Sequence, residues 1–307
     1  MRRLAVALLL AALSWVSCGG PSSGPSEVPP QPVPPGPGFP PPPPPPSGPQ
    51  VFVGAGDIAQ CDNNAELTAR LLDTIGGTVF TLGDLAYFHG TRENFRDCYE
   101  PTWGRHKSRT RPSPGNHEYE TPGALPYYDY FGANAGPRGL GYYSYNIGAW
   151  HAISLNSNVP VNEGSAQAEW LRADLADHAA FRCVVAYWHH PLVSSGPNGD
   201  NPGMRDIWRI LYFSGADLIL SAHDHLYERY APQDPDGRPD PVRGIRQFIV
   251  GTGGAALSQF RAPRPNSEVR LSAFGVLKLT LSAGAYDWEF VPVSASGARD
   301  SGTATCH

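Results

Sequence analysis

Beyond residue 50, short apolar runs alternate along the chain with amphipathic segments, and the runs end in small or polar residues. Their length and their content of β-branched and aromatic residues are typical of buried strands. Side chains that follow such strands are held by a rigid scaffold, which is where layered α/β proteins carry their chemistry. The runs are 51–53 before Gly56 and Asp57, 78–82 before Gly83 and Asp84, 183–188 before His189, and 218–220 before Ser221, Ala222 and His223.

The amphipathic segments between the runs have helical periodicity, and further apolar runs follow toward the C-terminus. We therefore predict the α/β class, with two mixed β-sheets packed face to face and helices outside, in a four-layer α/β/β/α sandwich. The segment 112–141, rich in glycine, proline and tyrosine, is interpreted as a loop that forms a wall or lid. The predicted helices are 64–75, 167–178 and 204–213, and the later predicted strands are 247–250, 276–281 and 288–293.

The N-terminus has the pattern of an export signal. Two arginines after Met1 precede a run from residue 4 to residue 16 that is apolar except for Ser14, and small residues follow it. This run is shorter than the ~20 apolar residues that span a bilayer. A buried helix is the alternative, but nothing that could pack against it follows. We expect residues 1–18 to be a signal peptide and the protein to be exported.

Cys18 leaves the kind of export open. A small residue followed by cysteine at the end of the apolar run resembles the bacterial lipoprotein cleavage site, where the cysteine becomes lipidated. Trp15 stands where that pattern usually has leucine, so a lipid anchor to the membrane through Cys18 and ordinary secretion both stay open. Residues 19–50 are nearly all proline, glycine and serine and predict a disordered linker. Residues 51–307 would form one folded domain.

The charge of the chain limits its partners. A formal net charge of −5 provides no basic field for nucleic acid, so we expect no nucleic-acid partner. The segment 105–111 is a local exception, with a cluster of basic residues. It is either a solvated loop or a patch that attracts phosphorylated substrates.

Cys61, Cys98, Cys183 and Cys306 remain once Cys18 is assigned to export, an even number that suits an oxidising compartment. Cys61 and Cys98 each lie just beyond a proposed site loop, so we pair them and pair Cys183 with Cys306. The sequence alone leaves three connectivities open. Metal ligation is the competing role for cysteine, but no CxxC spacing supports it.

Two Gly-Asp pairs, which contain Asp57 and Asp84, supply candidate carboxylate ligands for a metal. Glycine before each aspartate allows a sharp turn at the strand end and brings the carboxylate close to a small target. One such pair would be read as a turn cap, but both follow apolar runs. Asn116 and His117 lie in a further tight turn that would aim an amide oxygen and an imidazole into the same space. Alone, Asn116 would be read as a turn residue.

Histidines at two further strand ends complete the candidate site. His189 and His190 precede Pro191, and His223 and His225 form a His-x-His pair. Such a pair at a strand end sends both imidazoles to the same side, where two adjacent metal ions could each take one. A lone histidine is usually structural, and that interpretation is kept for the others. They are His89, His106, His151, His178 and His307.

The order of these motifs, GD, GDxxY, GNHE, HxP and HxH, resembles that of the calcineurin-like metallophosphoesterases and, within them, the purple acid phosphatases. Ala59 stands where most of that superfamily has a histidine ligand, and Tyr87 matches the tyrosine that purple acid phosphatases use instead. Ala222 departs from the glycine that commonly precedes the first histidine of the last motif. The resemblance implies a dinuclear metal site at the strand ends and makes residues 51–307 the catalytic domain.

The resemblance also implies how the ligands divide between the metal ions. His189 is preferred to His190 because the family has its ligand two residues before proline; His190 then lines the pocket, contacting substrate with Asn116, or stays structural. A phenolate ligand favours a hard trivalent ion, so the implied pair is Fe(III) with Fe(II), Zn(II) or Mn(II). The implied ligands are Asp57, Tyr87 and His225 for the first ion, Asn116, His189 and His223 for the second, and Asp84 for both.

The implied activity is hydrolysis of a small phosphomonoester, as in acid phosphatases, with Asp84 and His117 as catalytic residues. Two cations lower the pKa of a shared water and neutralise phosphoryl charge, so we expect in-line attack by hydroxide, with His117 protonating the leaving group. A phosphodiesterase or nucleotide hydrolase using the same site is the nearest alternative. A non-catalytic metal-binding or phosphate-binding protein is another, against which His117 argues. The natural substrate and the oligomeric state stay open.

Overall fold

The computed structural model describes residues 48–307, which form two β-sheets with helices. The predictions for the signal peptide, for Cys18 and for nearly all of the linker 19–50 fall outside the described residues. Between residues 48 and 307, no helix is both long enough and apolar enough to cross a membrane.

Both sheets are mixed, as predicted. The strands are β1 (Gln50–Ala55), β2 (Thr78–Leu82), β3 (Thr110–Ser113), β4 (Tyr143–Ile147), β5 (Trp150–Ser154), β6 (Cys183–Tyr187), β7 (Leu218–Ser221), β8 (Tyr227–Tyr230), β9 (Arg246–Val250), β10 (Ser267–Leu271), β11 (Gly275–Ser282), β12 (Ala285–Pro292) and β13 (Asp300–Thr305). The six-stranded sheet has the order β13-β12-β11-β1-β2-β3, and the seven-stranded sheet has the order β10-β8-β9-β7-β6-β5-β4. Parallel pairing joins β1, β2 and β3 in the first sheet, and β5, β6, β7 and β9 in the second.

Helices lie in the connections between these strands. The α-helices are α1 (Ala65–Thr74), α2 (Arg92–Asn94), α3 (Asn116–Tyr119), α4 (Leu125–Phe131), α5 (Ala166–Asp177) and α6 (Arg205–Phe213). One π-helical turn spans Phe95–Tyr99, and 3-10 turns span Trp103–Arg109, Pro122–Ala124, Gly132–Ala135 and Pro202–Met204.

The main core lies between the sheets, where aromatic side chains from both meet. Phe52 of β1 and Phe80 of β2 have ring centroids 4.6 Å apart, and the ring of Tyr187 on β6 lies 5.8 Å from that of Phe52. A second buried cluster includes Trp208 of α6 and the outer face of the second sheet, while α1 lies against β11 of the first. Burial of each large apolar side chain contributes ~1.5–3 kcal/mol, so this layer holds the sheets together. The predicted α/β/β/α architecture is confirmed.

Parallel pairing brings the ends of the site-bearing strands to common edges. β1 and β2 run in parallel register, so Asp57 and Asp84, which follow them, are neighbours. β6 and β7 do the same for His189 and His223 in the second sheet. The amide of Gly56 donates to the carbonyl oxygen of Val250 at 2.8 Å, which joins the end of β1 to the end of β9 across the two sheets. The residues that follow all four strands therefore meet in one place.

The interpretation of 112–141 as a loop is wrong. The segment contains α3 and α4, together with shorter helical turns. Pro126 lies in the first turn of α4, where proline loses no helical hydrogen bond, so its presence did not exclude a helix. Strands β3, β4, β5, β8, β10 and β13 were also not predicted from the sequence.

Ion pairs and backbone contacts occupy much of the basic cluster at 105–111. Arg105 pairs with Glu66 at 2.7 Å and with Asp73 at 2.8 Å, both on α1. Arg109 donates to the carbonyl oxygens of Leu72 and Gly77 at 2.7 and 2.8 Å. These contacts favour a structural role for the cluster over attraction of a substrate.

Both predicted disulfides are present. Cys61, after β1, is bonded to Cys98 in the π-helical turn, with Cα atoms 4.6 Å apart. Cys183, at the start of β6, is bonded to Cys306 near the C-terminus, with Cα atoms 5.5 Å apart. The predicted pairing is confirmed, and the bonds fit an extracellular protein.

Removal of the Cys183–Cys306 bond should destabilise the fold more than removal of the Cys61–Cys98 bond. The partners are 123 residues apart in the first case and 37 in the second, and a longer closed loop restricts the unfolded chain more. The difference should be about 1 kcal/mol in the free energy of unfolding. Guanidinium denaturation of the two paired Cys→Ser variants measures it, and equal losses would contradict the prediction.

Candidate metal centre

The backbone at the strand ends adopts an unusual conformation that turns carboxylates inward. Asp57 and Asp84 are fully buried and have positive φ angles of 56° and 53°, and His223 has a φ of 70°. Residues other than glycine seldom adopt this left-handed region, and such backbone persists where the surroundings enforce it. Ala222 is not among the positive-φ residues, which explains why alanine is tolerated where the family commonly has glycine.

Neighbouring segments of the chain pack so closely around the aspartates that the motifs need glycine there. A Cβ on Gly56 would lie 2.5 Å from the Cβ of Ala222, and a Cβ on Gly115 would lie 2.2 Å from Oδ1 of Asp84. Gly83 also has a φ of 79°, and its Cβ would lie 2.7 Å from Cγ of His189. The glycines of the three motifs thus allow the ligand-bearing segments to contact one another.

A first group of donors surrounds the hydroxyl of Tyr87. Its oxygen lies 3.0 Å from Oδ1 of Asp57, 3.1 Å from Nε2 of His225 and 3.4 Å from Oδ2 of Asp84. Nε2 of His225 lies 3.5 Å from Oδ1 of Asp57. The phenol oxygen, the carboxylate oxygens and the imidazole nitrogen therefore lie close enough together to bind one metal ion.

A second group surrounds Nε2 of His189. This atom lies 3.1 Å from Oδ1 of Asn116, 3.1 Å from Nδ1 of His223 and 3.1 Å from Oδ2 of Asp84. The same Asp84 oxygen thus belongs to both groups. The structure brings together all the residues that the sequence predicts as metal ligands, with Asp84 between the two groups.

Hydrogen bonds outside the cluster orient the imidazoles. Nδ1 of His189 donates to the carbonyl oxygen of Leu82 at 2.7 Å, and Nδ1 of His225 donates to that of Ala256 at 2.8 Å. Each bond fixes the tautomer that leaves Nε2 as a lone pair directed into the cluster, which is the usual support for metal-binding histidine. The amide of His223 donates to Oδ2 of Asp57 at 2.9 Å and holds that carboxylate in place.

Burial sets the charges of the acidic groups. It raises the pKa of Asp57, and burial together with the Asp57 carboxylate raises the pKa of Tyr87. Burial also opposes ionisation of Asp84, but His189 overcomes it and holds the pKa of Asp84 below its usual range. Burial opposes protonation of His189, yet the Asp84 carboxylate raises its pKa to about 9. A cation among these oxygens would stabilise their charged forms, so the donor set fits a metal.

Two further histidines, His117 and His190, lie beside the cluster. Nε2 of His117 lies 3.8 Å from Oδ2 of Asp84, and the His117 side chain is 23% exposed. His190 packs against His223 with ring centroids 4.4 Å apart, and its Nδ1 lies 2.8 Å from Oγ of Ser157. Burial and then the adjacent His189 lower the pKa of His190 to about 3, so its ring is neutral at physiological pH.

Glu118 is part of the site, although the sequence analysis gave it no role. The side chain is fully buried, and it accepts hydrogen bonds from the amides of Asp84 at 2.9 Å, Leu85 at 2.8 Å and Gly115 at 2.8 Å. It thus ties the Asp84 turn to the Asn116 turn. Burial and then the Asp84 carboxylate raise the pKa of Glu118 to about 7. The position of Glu118 in the GNHE motif was the feature of the sequence from which a role in the site could have been inferred.

Glu118→Gln should destabilise the protein and reduce activity. Glutamine replaces one acceptor oxygen by a donor, which leaves buried amides of the Asp84 turn without partners, at a cost of ~1–3 kcal/mol. Chemical denaturation of the variant measures this loss. Glu169→Gln is the matched control because Glu169 is exposed on α5. Unchanged stability of the Glu118 variant would rule out this bracing role.

Asp224, between the two histidines of the last motif, is a second residue that the sequence analysis missed. It is fully buried and accepts hydrogen bonds from the hydroxyl of Ser194 and from the amide of Asn198 at 2.8 Å. The Asn198 side chain in turn donates to the carbonyl oxygen of His223 at 2.7 Å. Asp224 therefore fixes the loop that supports the His223 turn.

The histidines predicted to be structural have partners of their own. His151 and His178 stack with ring centroids 3.9 Å apart, and Nε2 of His151 lies 2.7 Å from Oδ2 of Asp174. A metal ion lies in the plane of the imidazole that binds it, so stacked rings are poorly placed to share one. The other partners are Glu120 for His89, the Ala69 carbonyl for His106 and Asp217 for His307.

Comparison with known proteins identifies the class to which this fold and site belong. Residues 45–227 match the model of the calcineurin-like phosphoesterase family, so the chain belongs to that family. Its homologues include purple acid phosphatases. Purple acid phosphatase 22 of Arabidopsis thaliana is 30% identical over 281 residues, covering 81% of this chain and 61% of the relative. Purple acid phosphatase 21 of the same plant is 31% identical over 258 residues, covering 74% and 56%.

Solved structures show the same fold. The purple acid phosphatase PPD1 from yellow lupin superposes with a TM-score of 0.75 at 21% identity, covering 85% of this chain and 55% of the lupin chain. GAP50, the anchor in the inner membrane complex of Plasmodium, superposes with a TM-score of 0.62 at 15% identity, covering 85% and 90%. The chain spans little more than half the length of the curated relatives named above. Family membership implies a dinuclear metal site, and the clustered residues supply suitable donors.

Proposed function

We propose that the protein is an exported, metal-dependent phosphoric ester hydrolase that acts on a small phosphomonoester, in the manner of an acid phosphatase. The observation that carries the proposal is the position of Asp84, whose Oδ2 lies 3.1 Å from Nε2 of His189 and 3.4 Å from the Tyr87 hydroxyl. One carboxylate oxygen is therefore shared by two donor groups, which suits a ligand that bridges two metals.

The two donor groups would each hold one ion. Bound cations would lower the pKa of water and neutralise the charge of the phosphoryl oxygens. The phenol of Tyr87 favours a hard trivalent ion in the first group, so we propose Fe(III) there, with Fe(II), Zn(II) or Mn(II) in the second. The ligands would be Asp57, Tyr87 and His225 in the first group, Asn116, His189 and His223 in the second, and Asp84 in both.

Residues beside the donor groups would contact the substrate. His117, partly exposed and 3.8 Å from Asp84, would protonate the leaving alkoxide. Ser157 accepts a hydrogen bond from the amide of His190 at 3.1 Å, so its own hydroxyl proton is available to Nδ1 of the same residue. With Ser157 donating to Nδ1, the neutral ring would carry its proton on Nε2, where it could donate to a phosphoryl oxygen. The amide of Asn116 would contact the same oxygens.

Hydrolysis of paired substrates tests the proposal. The purified protein with its native metals should hydrolyse p-nitrophenyl phosphate, with much slower release of nitrophenol from bis(p-nitrophenyl) phosphate. Faster hydrolysis of the diester would favour the phosphodiesterase alternative. Protein that retains two metal ions per chain but hydrolyses neither ester would favour the alternative of a non-catalytic metal-binding or phosphate-binding protein.

Metal analysis with a visible spectrum tests the proposed ions. A tyrosinate bound to Fe(III) absorbs visible light, so natively purified protein should be coloured, and Tyr87→Phe should lose the band. Tyr143→Phe is a suitable control because Tyr143 lies on β4 and donates to the Pro112 carbonyl. Colourless protein that holds only divalent ions would refute the proposed Fe(III) site.

Export of the protein is also a proposal. It is supported by the basic and apolar N-terminal pattern and by the two disulfide bonds. Mass spectrometry of protein isolated from its native host tests it, because cleavage should remove the residues before Cys18 or close to it. Added acyl mass on Cys18 would establish the lipid anchor, an unmodified N-terminus would establish ordinary secretion, and retention of Met1 would refute export.

A further inference from the structure

Phe88 is an exposed aromatic residue at the mouth of the site. Its side chain is 52% exposed, although the Tyr87 side chain before it is buried in the donor cluster. The ring centroid of Phe88 lies 5.9 Å from that of Tyr87 and 6.4 Å from that of His117, in edge-to-face arrangements. One edge of the phenyl ring thus touches the site while much of the ring faces solvent.

The backbone and the side chain of Phe88 have different contacts. The carbonyl oxygen of Phe88 accepts a hydrogen bond from Nδ1 of His117, so the main chain positions that histidine. Glu120 makes a further contact with Nδ1 of His117 at 3.2 Å. The phenyl ring adds no hydrogen bond to this arrangement. Its exposed apolar surface is therefore available to a ligand.

The orientation of His117 indicates which part of a substrate would meet the exposed surface of Phe88. With Nδ1 directed to Phe88, Nε2 of His117 faces Asp84. The proposed function makes Nε2 the atom that protonates the leaving oxygen, so the group attached to that oxygen must leave past His117. The phenyl ring of Phe88 borders the same histidine and lies where such a group would pass.

We infer that Phe88 packs against the leaving group of the substrate and that the site favours phosphomonoesters with a flat, aromatic leaving group. This inference rests on the proposed function. Aromatic rings attract one another in edge-to-face or offset arrangements beyond what apolar burial alone supplies. The preference should therefore be larger for an aromatic ring than for a saturated ring of similar size, by roughly threefold to tenfold.

Comparison of phenyl phosphate with cyclohexyl phosphate tests the inference. The value of kcat/KM is measured for both esters in the unaltered protein, in Phe88→Ala, in Phe88→Leu and in Phe88→Tyr. Because the two alcohols differ in acidity, each variant is compared with the unaltered protein through the ratio of its two kcat/KM values. Phe213→Ala is the matched control, since Phe213 is a 71% exposed phenylalanine at the end of α6.

We expect Phe88→Ala and Phe88→Leu to lower the phenyl-to-cyclohexyl ratio by roughly threefold to tenfold, and Phe88→Tyr and Phe213→Ala to keep it. Calorimetric titration with phenylphosphonate and cyclohexylphosphonate, which are not hydrolysed, should show the same change in relative affinity. A phenyl-to-cyclohexyl ratio that is unchanged or higher in Phe88→Ala would mean that the ring does not contact the leaving group and at most positions His117, which overturns the inference. Failure of the unaltered protein to hydrolyse either ester would instead overturn the proposed function.

Discussion

Asp84→Ala should abolish hydrolysis and lower the metal content of the protein. The carboxylate oxygen that both donor groups share is lost, so neither group keeps its full set of donors. Loss of one preorganised electrostatic contact commonly lowers rates by about 10²–10³, and removal of a shared ligand should exceed this. The measurement is kcat/KM for p-nitrophenyl phosphate, together with the number of metal ions bound per chain.

Two further variants make this result specific. Asp84→Asn keeps the shape of the side chain without its charge, so a similar loss would assign the effect to the carboxylate rather than to a cavity. Asp287→Ala removes an exposed aspartate of β12 and should keep both activity and metal. Full activity in Asp84→Ala would remove the bridging role from Asp84 and, with it, the two-metal proposal.

His117→Ala should reduce the rate without loss of metal, by an amount that depends on the leaving group. General acid catalysis contributes about 10²–10⁴ to a rate, and an alkoxide needs the proton far more than p-nitrophenolate does. We therefore expect a small loss with p-nitrophenyl phosphate and a loss in that range with an alkyl phosphate. The slope of log kcat/KM against leaving-group pKa should become steeper in the variant.

The control for this prediction is His178→Ala, because His178 lies beyond α5 and contacts Asp174 rather than the metal centre. It should keep both the rates and the slope. An identical loss for alkyl and aryl esters in His117→Ala would indicate that the imidazole binds the phosphoryl group instead of protonating the leaving oxygen.

The parts of the site that could be predicted from the sequence are those in which a motif and its strand are contiguous. Asp57 and Asp84 follow apolar runs directly, so the ends of β1 and β2 could be predicted together with their chemistry. Strand β5 was missed because His151, near its start, breaks the apolar pattern. That histidine is buried beside Asp174 of α5, whose carboxylate accepts a hydrogen bond from Nε2 at 2.7 Å, a contact that no local pattern reveals.

Glu118 shows a different limit of sequence analysis. Its function depends on backbone amides of residues 84–86, which are brought to it by the packing of one turn on another. Backbone donors leave no signature in the side-chain pattern. An acidic residue next to His117 was therefore readable as an ordinary surface group until its complete burial was known.

The left-handed backbone at Asp57, Asp84 and His223 has an evolutionary consequence. Glycine enters that conformation freely, whereas residues with a Cβ enter it against steric resistance. Mutation to glycine would relax the turn at these positions, but at Asp57 and Asp84 it would also remove the acceptors of the His223 and His117 amides, so lost hydrogen bonds offset the gain in backbone freedom. If the protein hydrolyses phosphoesters as proposed, selection for that activity acts in addition to these hydrogen bonds, and a descendant that lost the activity would keep only the part of the constraint that the hydrogen bonds supply.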